Sequence, residues 1–251
     1  VRALRARGAN IPPPRSQAVY LDFRAAQSVV IASRSPVSYP AFDAAVLGPQ
    51  YVGTTQRVKD AIIATVRTQY AAYAVEIFSS DDGPPPAGDH STIYFGGYDE
   101  ALLGTADAVD RYNTNPNDVA IVFVASFARY PPMRLEPEQL GRMIGNTAGH
   151  ELGHLLGLYH ASGGGSLMDT RGSAWDYAGR RTLGAFPLEP DVFPIGRADL
   201  ARLLALTVGV RPGALLPSAN DAIVDEAAAK VSMMMRAGGF DMPAGACGCP
   251  H

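Results

Sequence analysis

Apolar positions along the chain recur with two periods, and the alternation between them predicts a succession of strands and helices. Val19, Leu21 and Phe23 sit at every second position, as on the buried face of a half-buried strand. Val58, Ile62, Val66 and Tyr73 keep helical spacing behind the candidate caps Thr54 and Thr55. Val75 to Phe78 and Thr92 to Phe95 read as two further strands, and Val119 to Ala125 is an unbroken apolar run suited to a central strand covered on both faces. Pro137 opens the next helix at a first-turn position, where its missing N–H costs nothing. The order strand, helix, three strands, helix predicts an α+β fold. Pro190 to Pro194 then reads as a rigid connection, and Gly196 to Gly209 as an amphipathic helix with Leu200, Leu203 and Leu204 inward. A last helix is expected from Asp221 to Met235, with Met233, Met234 and Met235 in the core.

The helix that follows Pro137 carries Gly141, Gly145, Gly149, Gly153 and Gly157 at every fourth residue. Each interior glycine costs about 1 kcal/mol against alanine, so the repetition requires a compensating contact. The expected one is close approach to the sheet behind the helix. The polar His and Glu on the adjoining face argue against a membrane-helix reading of the same small-residue stripe.

Those polar residues hold the chain's most specific chemistry. Residues 150 to 160 read His-Glu-Leu-Gly-His-Leu-Leu-Gly-Leu-Tyr-His. Histidines four apart on a helix are separated by about 6 Å in rise on one face, so His150 and His154 can share one metal ion. His160 would lie roughly 15 Å from His150 if the helix continued, so the chain must break and fold back. Gly157 supplies the break, because it can take the left-handed conformation that ends helices. Three imidazoles leave one position open on a tetrahedral zinc, as in a catalytic site. Glu151, next to His150, is placed to act as general base towards a zinc-bound water.

A turn with a methionine follows at Ser166-Leu167-Met168-Asp169. Motif and turn together resemble the metzincin clan of zinc endopeptidases. The resemblance implies a twisted mixed β-sheet with an active-site helix, and a smaller, mostly irregular and helical C-terminal subdomain. It implies one catalytic zinc, with Met168 as an apolar base beneath it, and hydrolysis of peptide bonds in a protein or peptide substrate. The substrate would pair with an edge strand, best matched by Thr92, Ile93, Tyr94, Phe95, Gly96 and Gly97. The implied domain spans residues 18 to 215, its upper part about 18 to 157 and its lower part about 158 to 215, with a helix and tail over 216 to 251. Secretion is implied as well. Ala161 after the third histidine departs from the usual subfamily markers, and no oxyanion-stabilising tyrosine can be carried over, leaving Tyr159 and Tyr177 without a role. Two other classes fit the same site: a zinc-bearing binding or self-processing module with an occluded cleft, and a metallohydrolase of non-peptide amides.

Composition narrows the remaining choices. The chain has 251 residues, 47% of them hydrophobic, enough for a sizeable core. A net charge of −3 argues against nucleic acid as a partner, and no apolar run is long enough to span a membrane. Residues 1 to 17 form an arginine- and proline-rich extended arm or propeptide remnant without the apolar segment of a signal peptide. Cys247 and Cys249 are too close for an unstrained disulfide; they read as tail thiols, or else one of them or His251 caps the zinc. Asp107, Asp110, Asn113, Asn115, Asn117 and Asp118 form an oxygen-rich stretch that fails the EF-hand pattern, so it reads as turns or a calcium site. The loop from Asp81, Asp82 and Gly83 to Asp89 and His90 reads as a solvated proline-rich loop, or else as a site for calcium or a second zinc.

Overall fold

A computed structural model describes residues 12–32, 34–130, 135–171, 173–190, 192 and 195–216. The expected helix over Asp221 to Met235, the tail cysteines, His251 and most of the arm lie outside the described residues. Within them the fold is α+β. Strands β1 (Gln17–Asp22), β4 (Val75–Ser79), β5 (Ser91–Phe95), β6 (Gly104–Ala106) and β7 (Val119–Val122) form one mixed sheet in the order β4-β1-β5-β7-β6. The first four in that order run parallel, and β6 returns antiparallel to β7 at the edge. β2 (Ala26–Val29) and β3 (Val37–Tyr39) make a separate hairpin-like pair, as do β8 (Ala185–Pro187) and β9 (Arg197–Asp199). No described helix is long and apolar enough to cross a membrane.

Position within the sheet explains where the strand expectations needed correction. β1 is flanked by β4 and β5, and Tyr20 is as buried as its neighbours Val19 and Leu21. It is therefore covered on both faces instead of half-buried; Val19 and Leu21 enter the main core, and the Tyr20 hydroxyl donates to Gly83 O on the other side. β7 is likewise interior: Ala120 and Val122 face the main core, while Ile121 packs with Ile31, Tyr39, Leu102 and Phe123. It stops at Val122, and the chain turns into a 3-10 stretch from Val124 to Arg129.

Thr92, Ile93, Tyr94, Phe95, Gly96 and Gly97 do not form the expected edge. β5 pairs with β1 on one side and β7 on the other, which uses both rows of its main-chain groups, and Gly96 N donates to Val122 O. The edge on that side is β6, a three-residue segment with no apolar alternation to announce it.

The main helices are α1 (Thr55–Gln69) and α2 (Pro137–Leu155). α1 turns Val58, Ile62, Ile63 and Val66 into the core. α2 begins with Pro137, and the Gln139 side chain accepts from Glu136 N to satisfy an N-terminal donor. Its glycine stripe packs mainly against α1, not the sheet. A Cβ at Gly141 would lie 2.5 Å from Val58 O, and one at Gly145 would lie 2.8 Å from Thr65 Cβ; at Gly149 it would collide with Gln69. The missing side chains let the backbone of α2 approach within reach of α1 carbonyls.

After α2 the chain forms a short helix α3 (Ala174–Ala178), then β8, β9 and α4 (Leu200–Thr207). α4 is shorter than expected because β9 takes Arg197–Asp199, and the Asp199 side chain accepts from Arg202 N to start the helix. Leu200 and Leu204 are buried, but Leu203 is 37% exposed and does not point inward as expected. Beyond α4 the chain docks beside residues 72 to 75: Ala74 N donates to Gly209 O, and the Arg211 guanidinium donates to Tyr73 O and Val75 O.

Gly141→Ala tests the helix contact through its sign. On a free helix surface the change would stabilise by about 1 kcal/mol. Here it should destabilise by roughly 1–3 kcal/mol through overpacking, read as a lower melting temperature. A rise in melting temperature would show that α1 and α2 are not in contact at this point.

Candidate metal centre

The last turns of α2 and the segment behind them build the centre by a series of backbone contacts. Gly157, at φ +86°, ends the helix in the left-handed conformation. Leu158 N donates to Gly153 O and Gly157 N to His154 O, the paired closure of a Schellman motif. A side chain at 157 would also strike the neighbouring loop, since a Cβ would come within 2.9 Å of Asp110 O. The motif turns the Leu158 carbonyl back towards the helix, where it accepts from His154 Nδ1 at 2.8 Å. Leu167 O, in the turn that holds Met168, does the same for His150 Nδ1 at 2.9 Å.

Carbonyl oxygens only accept, so both Nδ1 atoms must carry the proton. Burial, the first cause, and then the neighbouring His154, His160 and Arg181 hold the His150 pKa well below its ordinary value, so that ring is neutral. A neutral ring protonated at Nδ1 presents a lone pair at Nε2. The three Nε2 atoms converge: His154 Nε2 lies 3.0 Å from His150 Nε2 and 3.1 Å from His160 Nε2. The lone pairs of His150 and His154, facing at this distance, repel unless a cation lies between them. All three rings are buried, and among the described residues they are the one group of three or more His, Cys, Asp or Glu side chains whose ligand atoms converge. The donor set therefore fits a metal ion. Imidazole ligands suit zinc and several other transition metals.

His160 is returned to the helix by the chain following Gly157. Ala161 N donates to Met168 O, and Glu189 N donates to His160 O. Met168 is fully buried under the last turns of α2, and a Cβ at Gly153 would lie 2.5 Å from its sulfur. The fourth glycine of the stripe thus makes room for the methionine. The turn is held in turn by the chain beyond α3: Leu167 N donates to Thr182 O, and Thr182 N to Gly165 O.

Glu151 is 1% exposed, and its carboxylate packs against the backbone of β6, with Oε1 2.6 Å from the place a Cβ would occupy at Gly104. The helix that carries His150 and His154 and the edge strand thus meet at this acid. Sequence reading missed Gly104; a lone glycine in a short apolar segment, Leu102 to Ala106, was its only signal. The tyrosines without an expected role are structural contacts: Tyr177 is buried and donates to Asp169 O, while Tyr159 accepts from Arg111.

The oxygen-rich stretch is a network of turns. Asp110 accepts from Thr114 Oγ1 and Asn115 N, and Asp107 from Ala32 N and Val119 N. Asn117 links to Asp89 and His90 N, and Asn113 donates to Gln17. Among the described residues no group of three or more His, Cys, Asp or Glu side chains converges in this stretch or in the loop of Asp81, Asp82, Gly83, Asp89 and His90. Asp118 is buried, accepts from Ser91 Oγ through one oxygen, and is pushed up to about 7 by burial.

Compared with known proteins, the chain matches no protein-family model and no curated protein sequence.

Two predictions follow from this geometry. His160→Ala should lower metal affinity by more than roughly a hundredfold, measured by competition with a chelator; an unchanged dissociation constant would remove His160 from the centre. For Asp118, the folded carboxyl keeps its proton up to about pH 7 whereas the unfolded one loses it near 3.8. Folding therefore weakens as pH rises through that window, by up to about 1.4 kcal/mol per pH unit. Melting temperatures of wild type and Asp118→Asn should diverge between pH 4 and pH 8, with the variant gaining; parallel curves would contradict the buried proton.

Proposed function

We propose that the protein is a zinc-dependent endopeptidase of metzincin type, hydrolysing peptide bonds with Glu151 as general base. The observation that carries the reading is the convergence of three Nε2 atoms, two of them on rings anchored through Nδ1, immediately beside a buried glutamate at the sheet edge. The motif, the Gly157 break and the Met168 turn add the resemblance on which the clan assignment rests. Zinc held by His150, His154 and His160 would supply Lewis-acid polarisation of a carbonyl and make water more acidic.

The chain's own residues would do the remainder. Glu151 accepts the proton as water attacks the scissile carbonyl and returns it to the leaving amine, so the acid emerges unchanged. Enclosure against Gly104 keeps its carboxylate in one place. In the clan an extended substrate adds a strand to the sheet edge, and here that edge is β6. Main-chain hydrogen bonds along β6 would bring a peptide past Glu151.

A second reading, a metal-bearing module with a closed cleft, is favoured by one observation. His150, His154, His160 and Glu151 are each no more than 5% exposed, and β6 is buried throughout.

The test is mass-spectrometric mapping of products from a diverse peptide mixture, with zinc-loaded wild type and Glu151→Ala in parallel. Cleavage should occur only with wild type, the variant losing at least roughly a hundredfold while retaining its metal. Equal cleavage by the variant would remove Glu151 as base. Retained metal with no cleavage by either protein would favour the closed module.

A further inference from the structure

The turn containing Met168 shapes two of the three ligands, since Leu167 O fixes His150 and Met168 O holds the residue after His160. What fixes the turn is a buried cation. Arg181 Nη1 donates to Ser166 O and to Asp169 O, both at 3.0 Å, so one nitrogen bridges the carbonyls on either side of Leu167 and Met168. The guanidinium lies over the Tyr177 ring with Cζ 4.0 Å from its centroid, and Tyr177 in turn donates to Asp169 O.

Arg181 is 5% exposed, and among the described ion pairs it has no carboxylate partner. Asp169 stands beside it, but the Asp169 carboxylate accepts instead from Gly163 N and Arg171 N. A buried charge is costly unless its donors are satisfied. Here main-chain carbonyls and an aromatic face satisfy them, which ties the charge to the shape of this turn. A planar guanidinium can stack and donate at once, whereas an ammonium cannot.

We infer that Arg181 is a positioning residue for the metal centre: it locks the Met168 turn so that Leu167 O holds the His150 ring in its metal-binding tautomer and direction. This rests on the three-histidine centre proposed above. Groups that orient a metal-bound histidine typically change metal affinity by about 10–100-fold when removed.

The test compares the full chain with Arg181→Met, Arg181→Lys and Tyr51→Phe, using cobalt(II) as the probe. Tyr51→Phe removes the buried hydroxyl that donates to Leu135 O ahead of α2, and so weakens the fold without altering any partner of Arg181 or of the turn. Affinity is measured by chelator competition, geometry by the visible cobalt spectrum, and fold by metal-free melting. Arg181→Met should lose about 10–100-fold in affinity and shift the cobalt bands, and Arg181→Lys should lose several-fold. Tyr51→Phe should lower melting with affinity and spectrum unchanged. Wild-type affinity and spectrum in a folded Arg181→Met protein would overturn the assignment. Should that variant fail to fold, wild-type values in Arg181→Lys would overturn it equally. Absence of cobalt binding by wild type would instead refute the metal centre itself.

Discussion

Two hydrogen bonds, from His150 Nδ1 to Leu167 O and from His154 Nδ1 to Leu158 O, fix the tautomers of two of the three rings on which the site depends. An imidazole can offer a lone pair at either nitrogen, and an acceptor at one nitrogen decides the matter for the other. Both carbonyls belong to backbone turns and not to mobile side chains. The tautomers are therefore set by the fold, before any metal arrives. Each turn has its own local cause: Gly157 permits the left-handed closure that aims Leu158 O, and the chain around Thr182 braces the turn that aims Leu167 O.

The rest of the architecture makes α2 a rigid mount for these rings. Its glycine stripe meets α1 first, as far as Gln69, then Met168, and finally the Asp110 loop, so one repeated residue serves three different neighbours. Helix and sheet meet where the Glu151 carboxylate packs against Gly104 in β6. Site and scaffold share atoms there, and a change in the sheet edge would be felt at the acid. Burial favours the uncharged form at one ring and one acid by opposite shifts: it lowers the His150 pKa, keeping that ring neutral, and raises that of Asp118, keeping the carboxyl protonated towards neutral pH.

What could be read from sequence was what neighbouring residues determine. The converging histidines, the Gly157 break and the start of α2 at Pro137 follow from spacing within a few turns of chain, while attention to Met168, which is buried, comes from the family resemblance. Strand order was not legible, because it depends on pairings between distant segments. β5 alternates in a way that suits an edge, yet β1 and β7 enclose it, while the true edge is three small residues without a pattern. The glycine stripe announced a close neighbour and could not say which, so a helix stands where the sheet was expected. Arg181 gave no sequence signal at all, lying 21 residues beyond His160 in an unpatterned segment. Its role depends on a fold-back that no local period encodes.

The central claim is that His150 and His154 carry their protons on Nδ1 and turn their Nε2 lone pairs, with that of His160, to one metal ion. Nitrogen-15 imidazole NMR during a zinc titration of the whole chain tests it most directly. The account predicts Nδ1-protonated neutral rings for His150 and His154, and movement of all three Nε2 signals saturating at one equivalent of zinc. Protons on Nε2 of either ring, or Nε2 signals indifferent to zinc, would contradict it.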